Sequence, residues 1–147
     1  MKTLEFKIAT PERVVFEDKA VESITLPTKM GEITVLPDHL PLVSSLVSGE
    51  IKVKIGGKEI SMAVSGGFIE VKPGQVVVLA DTAERAEEID EKRAEEARTR
   101  AKKLMEEQKV EAEDYAGLAA KIERELARIK VVRKHRERKG LVPRIEE

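Results

Sequence analysis

The sequence changes character abruptly between residues 80 and 94, and this change limits the fold more than any other feature. Before it, valine, isoleucine, glycine and proline are frequent, whereas alanine, glutamate, lysine and arginine predominate after it. Apart from Gly117 and the far C-terminal tail, every glycine and proline lies before residue 80. Such a shift marks a domain boundary or hinge, with strands on its N-terminal side and helices on its C-terminal side.

Short segments of alternating apolar and polar side chains fill the part before the boundary. Residues 4–9 and 50–55 have the period of half-buried strands, and Gly56-Gly57 is a two-residue hairpin signal. Residues 65–67 are expected to interrupt a strand, and the wholly apolar residues 76–80 to form a covered one. Many short strands between turn signals predict a β-sandwich.

After the boundary, apolar residues recur at intervals of three and four, which predicts two amphipathic helices. The first stripe comprises Ala94, Ala97, Ala101, Leu104 and Met105, and the second comprises Tyr115, Ala119, Ile122, Leu126 and Ile129. A short connection makes the pair an antiparallel hairpin, and its narrow seam implies stabilisation by docking rather than by a core of its own. The predicted α+β chain is thus an N-terminal antiparallel β-sandwich (1–86), a C-terminal antiparallel two-helix hairpin (87–134) and a charged tail (135–147).

Charge is divided unequally between the two halves of the helical region. Residues 81–114 contain thirteen acids and eight bases, whereas residues 115–147 contain ten bases and five acids. The two helices therefore attract one another when they fold together. The same basic surface is available to an acidic partner when the hairpin opens.

The residue inventory argues against an enzyme. There are no cysteines, and His39 and His135 lie far apart without ligand-spaced partners. No nucleophile has a paired base, and the adjacent Glu87 and Glu88 would diverge on a helix. No apolar run approaches the ~20 residues that span a bilayer, and the N-terminus has no signal-peptide core. We therefore expect no catalytic site, no metal, no required cofactor, and membrane contact only through a partner.

Two alternatives remain open on physical grounds alone. The basic last helix could bind nucleic acid, or the chain could be a coiled-coil adaptor with an attached sandwich domain. Against nucleic acid stand a net charge of −1 and only four aromatic residues, one Tyr and three Phe, which are too few for stacking platforms.

Four short motifs in succession carry a resemblance to a known family. They occupy residues 31–42 (GEITVLPDHLPL), 65–71 (SGGFIEV), 78–84 (VLADTAE) and 89–94 (IDEKRA). Together with the sandwich-then-hairpin pattern, they resemble the epsilon subunits of bacterial F-type ATP synthases over residues 1 to about 134. The tail from His135 extends past the usual end of that family.

The resemblance implies a non-catalytic central-stalk subunit on the cytoplasmic face of the plasma membrane. Its sandwich would contact the gamma subunit and the c-ring, with Glu32 and the loop of His39 near the c-ring. From the residues alone, His39 is a hydrogen-bonding residue of a stiff loop between two prolines. The hairpin would extend toward the alpha and beta subunits and inhibit ATP hydrolysis through its basic helix, by way of Arg124, Arg128, Arg133 and Lys134.

The hexapeptide of residues 89–94 has two interpretations. By elementary helix chemistry, Asp90 caps the first helix. Arg93 lies one helical turn further along the chain, close enough to form an ion pair with Asp90. By resemblance, the segment belongs to a site for ATP, which acts as a regulatory ligand rather than a substrate. The resemblance implies carboxylates for the adenine or ribose, an apolar wall from Ile89 and Ala94, and arginines for the phosphates. The candidate ATP-binding residues are Glu84, Ile89, Asp90, Arg93, Ala94, Arg100, Arg124 and Arg128.

Overall fold

The computed structural model describes residues 2–107 and 112–139. Eight strands precede a 3-10 turn at Ala86–Glu88 and two helices. The strands are β1 (Leu4–Ala9), β2 (Val14–Val21), β3 (Ser23–Thr28), β4 (Gly31–Val35), β5 (Leu42–Ser45), β6 (Gly49–Ile55), β7 (Lys58–Lys72) and β8 (Gln75–Arg85), and the helices are α1 (Glu91–Glu106) and α2 (Ala112–Arg138).

The strands form a β-sandwich around one apolar core. They are hydrogen-bonded in the order β2-β1-β8-β7-β6-β3-β4, and β5 pairs with the second half of β7. Phe6, Ile8, Ile24, Val53 and Ile69 are fully buried at its centre. The predicted sandwich followed by a helical hairpin is confirmed, although β1 and β8 pair in parallel rather than antiparallel.

The expected interruption at residues 65–67 is wrong, because β7 continues through them for fifteen residues. Gly66 and Gly67 take φ values of 61° and 121°, which only glycine adopts readily. β7 pairs with β6 before these glycines and with β5 after them. The two glycines therefore lie where β7 changes its partner strand, and they adopt backbone angles there that would strain a residue with a side chain.

β8 is covered on one face only, contrary to the expectation for residues 76–80. Val76, Val78 and Ala80 are buried, whereas Leu79 is 59% exposed. The alternation follows from the strand period of two, since only one face of β8 meets the core. An apolar residue in this strand is therefore not necessarily buried.

The hairpin packs back against the sandwich. Val131 and Val132 of α2 bury Ile89, Ala86 and Ala63 in a second apolar cluster that joins helix, linker and strand. This contact is the docking that we expected the hairpin to need, because the seam between its two helices is narrow.

The seam between the helices differs in detail from the sequence pattern. On α1, Ala94 and Ala101 are buried, but Leu104 is 49% exposed. On α2, Tyr115 and Leu126 of the predicted stripe are 51% and 41% exposed. Because α2 packs against both α1 and the sandwich, its buried surface is wider than one stripe and begins near the middle of the helix.

Helix α2 ends at Arg138, four residues beyond the predicted end of the hairpin at 134. Every residue from 134 to 138 is charged or His, and no helix breaker precedes Gly140. Cationic side chains at the helix C-terminus also interact favourably with its dipole. Residues 140–147 of the predicted tail lie outside the described residues. Within the described residues, no helix is long and apolar enough to cross a membrane.

Candidate functional site

An open cleft of about 590 Å³ lies where β8, the linker, α1 and α2 meet. Ten of the side chains around it are charged, five acidic and five basic, and the remaining one is Ala97. The charged residues are Glu84, Glu88, Asp90, Glu96 and Glu125 together with Arg93, Arg100, Lys121, Arg124 and Arg128. Because cationic groups come from both helices, the cleft exists only while the hairpin is folded.

The structure brings six of the eight candidate ATP-binding residues together around this cleft. They are Glu84, Asp90, Arg93, Arg100, Arg124 and Arg128. Ile89 and Ala94 lie elsewhere: Ile89 is 7% exposed in the cluster with Val131 and Val132, and Ala94 is completely buried. These two residues therefore hold the hairpin in place and do not form a wall of the cleft, where the apolar lining residue is Ala97.

Asp90 is the N-cap of α1, as helix chemistry alone indicated. Its Oδ1 accepts a hydrogen bond of 3.1 Å from the backbone N–H of Arg93, and its backbone is extended as the cap position requires. The same carboxylate lines the cleft. The two interpretations of the hexapeptide are therefore compatible, because capping uses one oxygen of a side chain that also faces the cleft.

Arg128 is at the centre of a charged network at the base of the cleft. Its Nε and Nη2 donate to the two oxygens of Glu84 at 2.6 and 3.2 Å, and its Nη1 donates to Glu125 at 2.7 Å. Burial lowers the pKa of Arg128, but the hydrogen bonds that it donates to Glu84 and Glu125, and the charges of those carboxylates, outweigh burial, so the pKa lies above its ordinary value. Arg124 lies 3.6 Å from the same Glu125.

The cations that the resemblance assigned to inhibition are also engaged within the folded molecule. Arg133 donates to Glu91 at 2.7 Å and to Glu95 at 2.6 Å, and Lys134 donates to Glu50 at 2.8 Å. In the docked hairpin, these side chains therefore hold α2 to α1 and to the sandwich.

The two c-ring candidates lie at opposite ends of one strand. Glu32 is near the start of β4 and lies 3.6 Å from Lys52. His39 is past the other end of β4, where its Nδ1 is 2.7 Å from the carbonyl oxygen of Leu40 and its backbone N–H donates to Leu36. His39 is thus a hydrogen-bonding loop residue, beside Leu36 and Leu40, whose side chains are exposed.

An exposed apolar row crosses the outer face of the sandwich. Val14, Ala9, Leu79 and Phe68 occupy paired positions on β2, β1, β8 and β7. Phe68 is 64% exposed and Leu79 is 59% exposed, and Val43 on β5 is 73% exposed on the same face. A contiguous exposed apolar surface of this kind is typical of a protein–protein interface.

Sequence reasoning missed five residues of the cleft, and two of them had a detectable signal. Lys121 lies one helical turn before Arg124, on the same face of α2. Glu125 lies three residues before Arg128, the spacing of an intrahelical ion pair. The sequence pattern assigned no binding role to the other three, Glu88, Glu96 and Ala97. Among the described residues, no cluster of His, Asp and Glu is arranged to hold a metal ion.

Comparison with known proteins identifies the family. Residues 3–86 match the family model described as the ATP synthase delta/epsilon chain beta-sandwich domain, and residues 87–133 match the delta/epsilon chain long alpha-helix domain. The chain belongs to the delta/epsilon chain family of ATP synthases. The two family models meet between Ala86 and Glu87, within the 3-10 turn.

Curated relatives carry the same description over nearly their whole length. The ATP synthase epsilon chain of Dehalococcoides mccartyi is 47% identical over 136 residues, which are 92% of this chain and 96% of the relative. That of Chloroflexus aggregans is 43% identical over 133 residues, 90% of this chain and 94% of the relative. This family membership does not favour the nucleic-acid and coiled-coil alternatives.

Solved structures with the same fold come from ATP synthases. A chain of the Euglena gracilis mitochondrial ATP synthase, in an assembly of OSCP, F1 and c-ring, aligns with a TM-score of 0.74 and 26% identity, over 84% of this chain and 77% of that chain. A chain of the Tetrahymena thermophila mitochondrial central stalk and c-ring aligns with a TM-score of 0.54 at 14% identity, over 92% of this chain and 98% of that chain, a likeness of fold alone.

Proposed function

We propose that this chain is the non-catalytic epsilon subunit of the central stalk of a bacterial proton-translocating F-type ATP synthase, and that it couples the c-ring and the gamma rotor to the catalytic head. The observation that carries the proposal is the sandwich with a docked helical hairpin, in a chain that aligns with epsilon chains along nearly all of their length. As part of that complex it is peripheral to the membrane, on its cytoplasmic face.

The outer apolar row is the proposed surface for the gamma subunit. Phe68, Leu79 and Val43 project from adjacent strands, so a partner can bury them together without rearranging the sandwich. The loop of His39, with Leu36 and Leu40 exposed beside it, is the proposed c-ring contact, and Glu32 adds a charged contact near the start of β4.

The experiment is co-purification of the chain with gamma and the membrane-embedded complex. Phe68→Asp with Leu79→Asp should abolish recovery of the complex, because two charges would be buried at the interface. Leu104→Asp is the matched control, since Leu104 is similarly exposed but lies on the hairpin. Equal recovery of all three proteins would contradict this assignment of the gamma surface.

The charged cleft is proposed to bind ATP as a regulatory ligand. Arg93 and Arg100 of α1 face Arg124 and Arg128 of α2 across it, an arrangement suited to phosphate oxygens. A ligand held by both helices stabilises the folded hairpin over an extended one, because only the folded form contains the whole site. Abundant ATP would thereby keep the inhibitory helix docked.

Calorimetry with the isolated subunit tests this proposal. ATP at millimolar concentration should release heat, and Arg100→Ala or the double substitution Asp90→Ala with Arg93→Ala should weaken binding about tenfold or more, through lost charged hydrogen bonds. Arg98→Ala is the control, because Arg98 is on the same helix but does not line the cleft. Absence of heat with the native chain would leave Asp90 as a helix cap only.

The basic residues of α2 are proposed to inhibit ATP hydrolysis when the hairpin extends toward the alpha and beta subunits. Arg128, Arg133 and Lys134 pair with carboxylates of other elements when docked, so extension breaks three such pairs at once. Arg124 pairs with Glu125 of α2 itself and moves with it. Exposed pairs are individually weak, about 0.2–1 kcal/mol each, so inhibition requires several of them together.

Two sets of substitutions separate docking from inhibition. Replacing all four cations by Ala loosens the docked state as well, so only the loss of inhibitory contacts can explain an increase in ATPase activity. Glu91→Gln with Glu95→Gln frees Arg133 without changing it and should instead deepen inhibition. Unchanged hydrolysis by the complex carrying the fourfold variant would overturn the proposal.

A further inference from the structure

Glu125 is a buried carboxylate at the cleft, and the proposed function assigns it no role. Its side chain is 3% exposed, although glutamate is almost never fully buried unless it is paired. Its two oxygens face two different arginines: Oε2 accepts from Arg128 Nη1 at 2.7 Å, and Oε1 lies 3.6 Å from Arg124 Nη2. One carboxylate thus partly neutralises both α2 arginines that the proposed site assigns to phosphate.

Carboxylates surround the guanidinium of Arg128 in this arrangement. All three of its nitrogens donate to carboxylates, two to Glu84 and one to Glu125. A phosphate oxygen that approaches either remaining N–H of the guanidinium also approaches a carboxylate oxygen. It must therefore displace a carboxylate or accept like-charge repulsion at short range in a site of reduced dielectric.

The whole cleft shows the same balance of charge. Five carboxylates and five cations surround it, so its formal charge is zero before any ligand enters. Glu88 already bonds Arg13 outside the cleft, and Glu84 is itself a candidate ligand residue. Among the residues that the structure describes, Glu125 is therefore the one acid of the cleft that is buried and paired solely with proposed phosphate-binding arginines.

We propose that Glu125 is an internal competitor for the phosphate groups of the nucleotide and sets the affinity of the cleft. Its carboxylate occupies Arg124 and Arg128 of the same helix in the ligand-free hairpin, which raises the nucleotide concentration needed for binding. This inference rests on the proposed ATP role and deepens it. It assigns to one side chain the range of ATP concentrations to which the hairpin responds.

The experiment compares the native full-length chain with Glu125→Gln by calorimetry, using ATP, inorganic tripolyphosphate and adenosine as probes. Gln keeps the size of the side chain and an acceptor oxygen but removes the charge. ATP and tripolyphosphate should both bind about tenfold more tightly to the variant. Adenosine binding should not change. Glu123→Gln is the control, because it removes the same charge from an exposed position on α2.

The outcomes separate this inference from the proposal beneath it. If the native chain binds ATP and Glu125→Gln binds equally or less tightly, the competitor role is wrong and the ATP role stands; a purely structural role of Glu125 gives this weakening. A gain confined to adenosine also overturns it. If neither protein binds any probe while circular dichroism shows that both are folded, the ATP role of the cleft and the competitor role of Glu125 are both wrong. Binding by the variant alone supports the competition and excludes ATP sensing by the native chain.

Discussion

At the scale of single residues, Gly67 is a glycine of the sandwich where the backbone leaves no room for a side chain. A Cβ there would lie 2.1 Å from the carbonyl oxygen of Leu79, and φ is 121°. We expect Gly67→Ala to lower the free energy of unfolding by more than about 3 kcal/mol, since strain and a backbone clash combine. Gly57→Ala, at an open turn with φ of 73°, should cost about 1 kcal/mol. Urea denaturation followed by circular dichroism measures both, and equal losses would contradict the clash.

Glu88 makes the linker sensitive to acid. A hydrogen bond from Arg13, at 3.0 Å, holds the pKa of Glu88 below its ordinary value of 4.5, against burial, which raises it. Because the folded-state pKa is depressed, the stabilisation is present at neutral pH and is lost as pH falls through the folded value. Glu88→Gln should therefore lower the melting temperature slightly at neutral pH, and this effect should shrink as the pH falls through the folded-state pKa of Glu88.

Thermal melts across a pH series test this dependence. In an Arg13→Ala background, most of the pH-dependent difference between Glu88 and Gln should disappear, because the largest cause of the shift is gone. If the difference in melting temperature between the native chain and Glu88→Gln grew toward acid pH, its pH dependence would have the opposite sign. The ion pair with Arg13 would then be excluded as its origin.

At the scale of secondary-structure elements, the ion pair of Lys134 with Glu50 helps to hold α2 on the sandwich, together with Arg128–Glu84 and Arg138–Glu59. Glu50 on β6 is 5% exposed, its Oε1 accepts from Lys134 at 2.8 Å, and its Oε2 has no hydrogen-bond partner within the described part of the chain. Lys134→Met should destabilise the docked helix by about 2 kcal/mol, because it leaves a buried carboxylate poorly compensated.

A double-mutant cycle distinguishes this pair from simple packing. Glu50→Gln removes the buried charge, so Lys134→Met should cost much less in that background. Hydrogen exchange of the α2 amides measures local opening of the helix in each variant. Additive effects of the two substitutions would indicate that Lys134 contributes through its alkyl chain alone.

At the scale of the whole molecule, the sandwich and the hairpin are unequal in their dependence on each other. The main apolar core consists wholly of sandwich residues and ends at Ala83, whereas each residue of the second cluster beyond the linker belongs to α2. A chain ending at Ala86 should therefore remain folded and still bind gamma, with a modest loss of thermal stability from uncovering Ala63 and Glu50. Circular dichroism and gel filtration test this, and an unfolded or aggregated product would contradict it.

The sequence by itself determined the order of the elements, the change from strands to helices and the antiparallel hairpin. These depend on local periodicity and on turn residues, which act over a few positions along the chain. The N-cap role of Asp90 belongs with them, since a cap involves only a side chain and the next turn of its own helix. The six cleft residues came from resemblance in sequence, not from spacing.

Tertiary structure alone decided which face of each element is covered. The sequence pattern could not tell that Leu79 is exposed, that Ile89 and Ala94 are packed away from the cleft, or that Glu125 is buried. Each of these depends on contacts between residues distant in sequence, as α2 crosses β6, β7 and the linker. Glu125 meets both of its arginines within α2, at a spacing that the sequence shows. Its burial depends instead on the elements that α2 packs against, which no local pattern specifies.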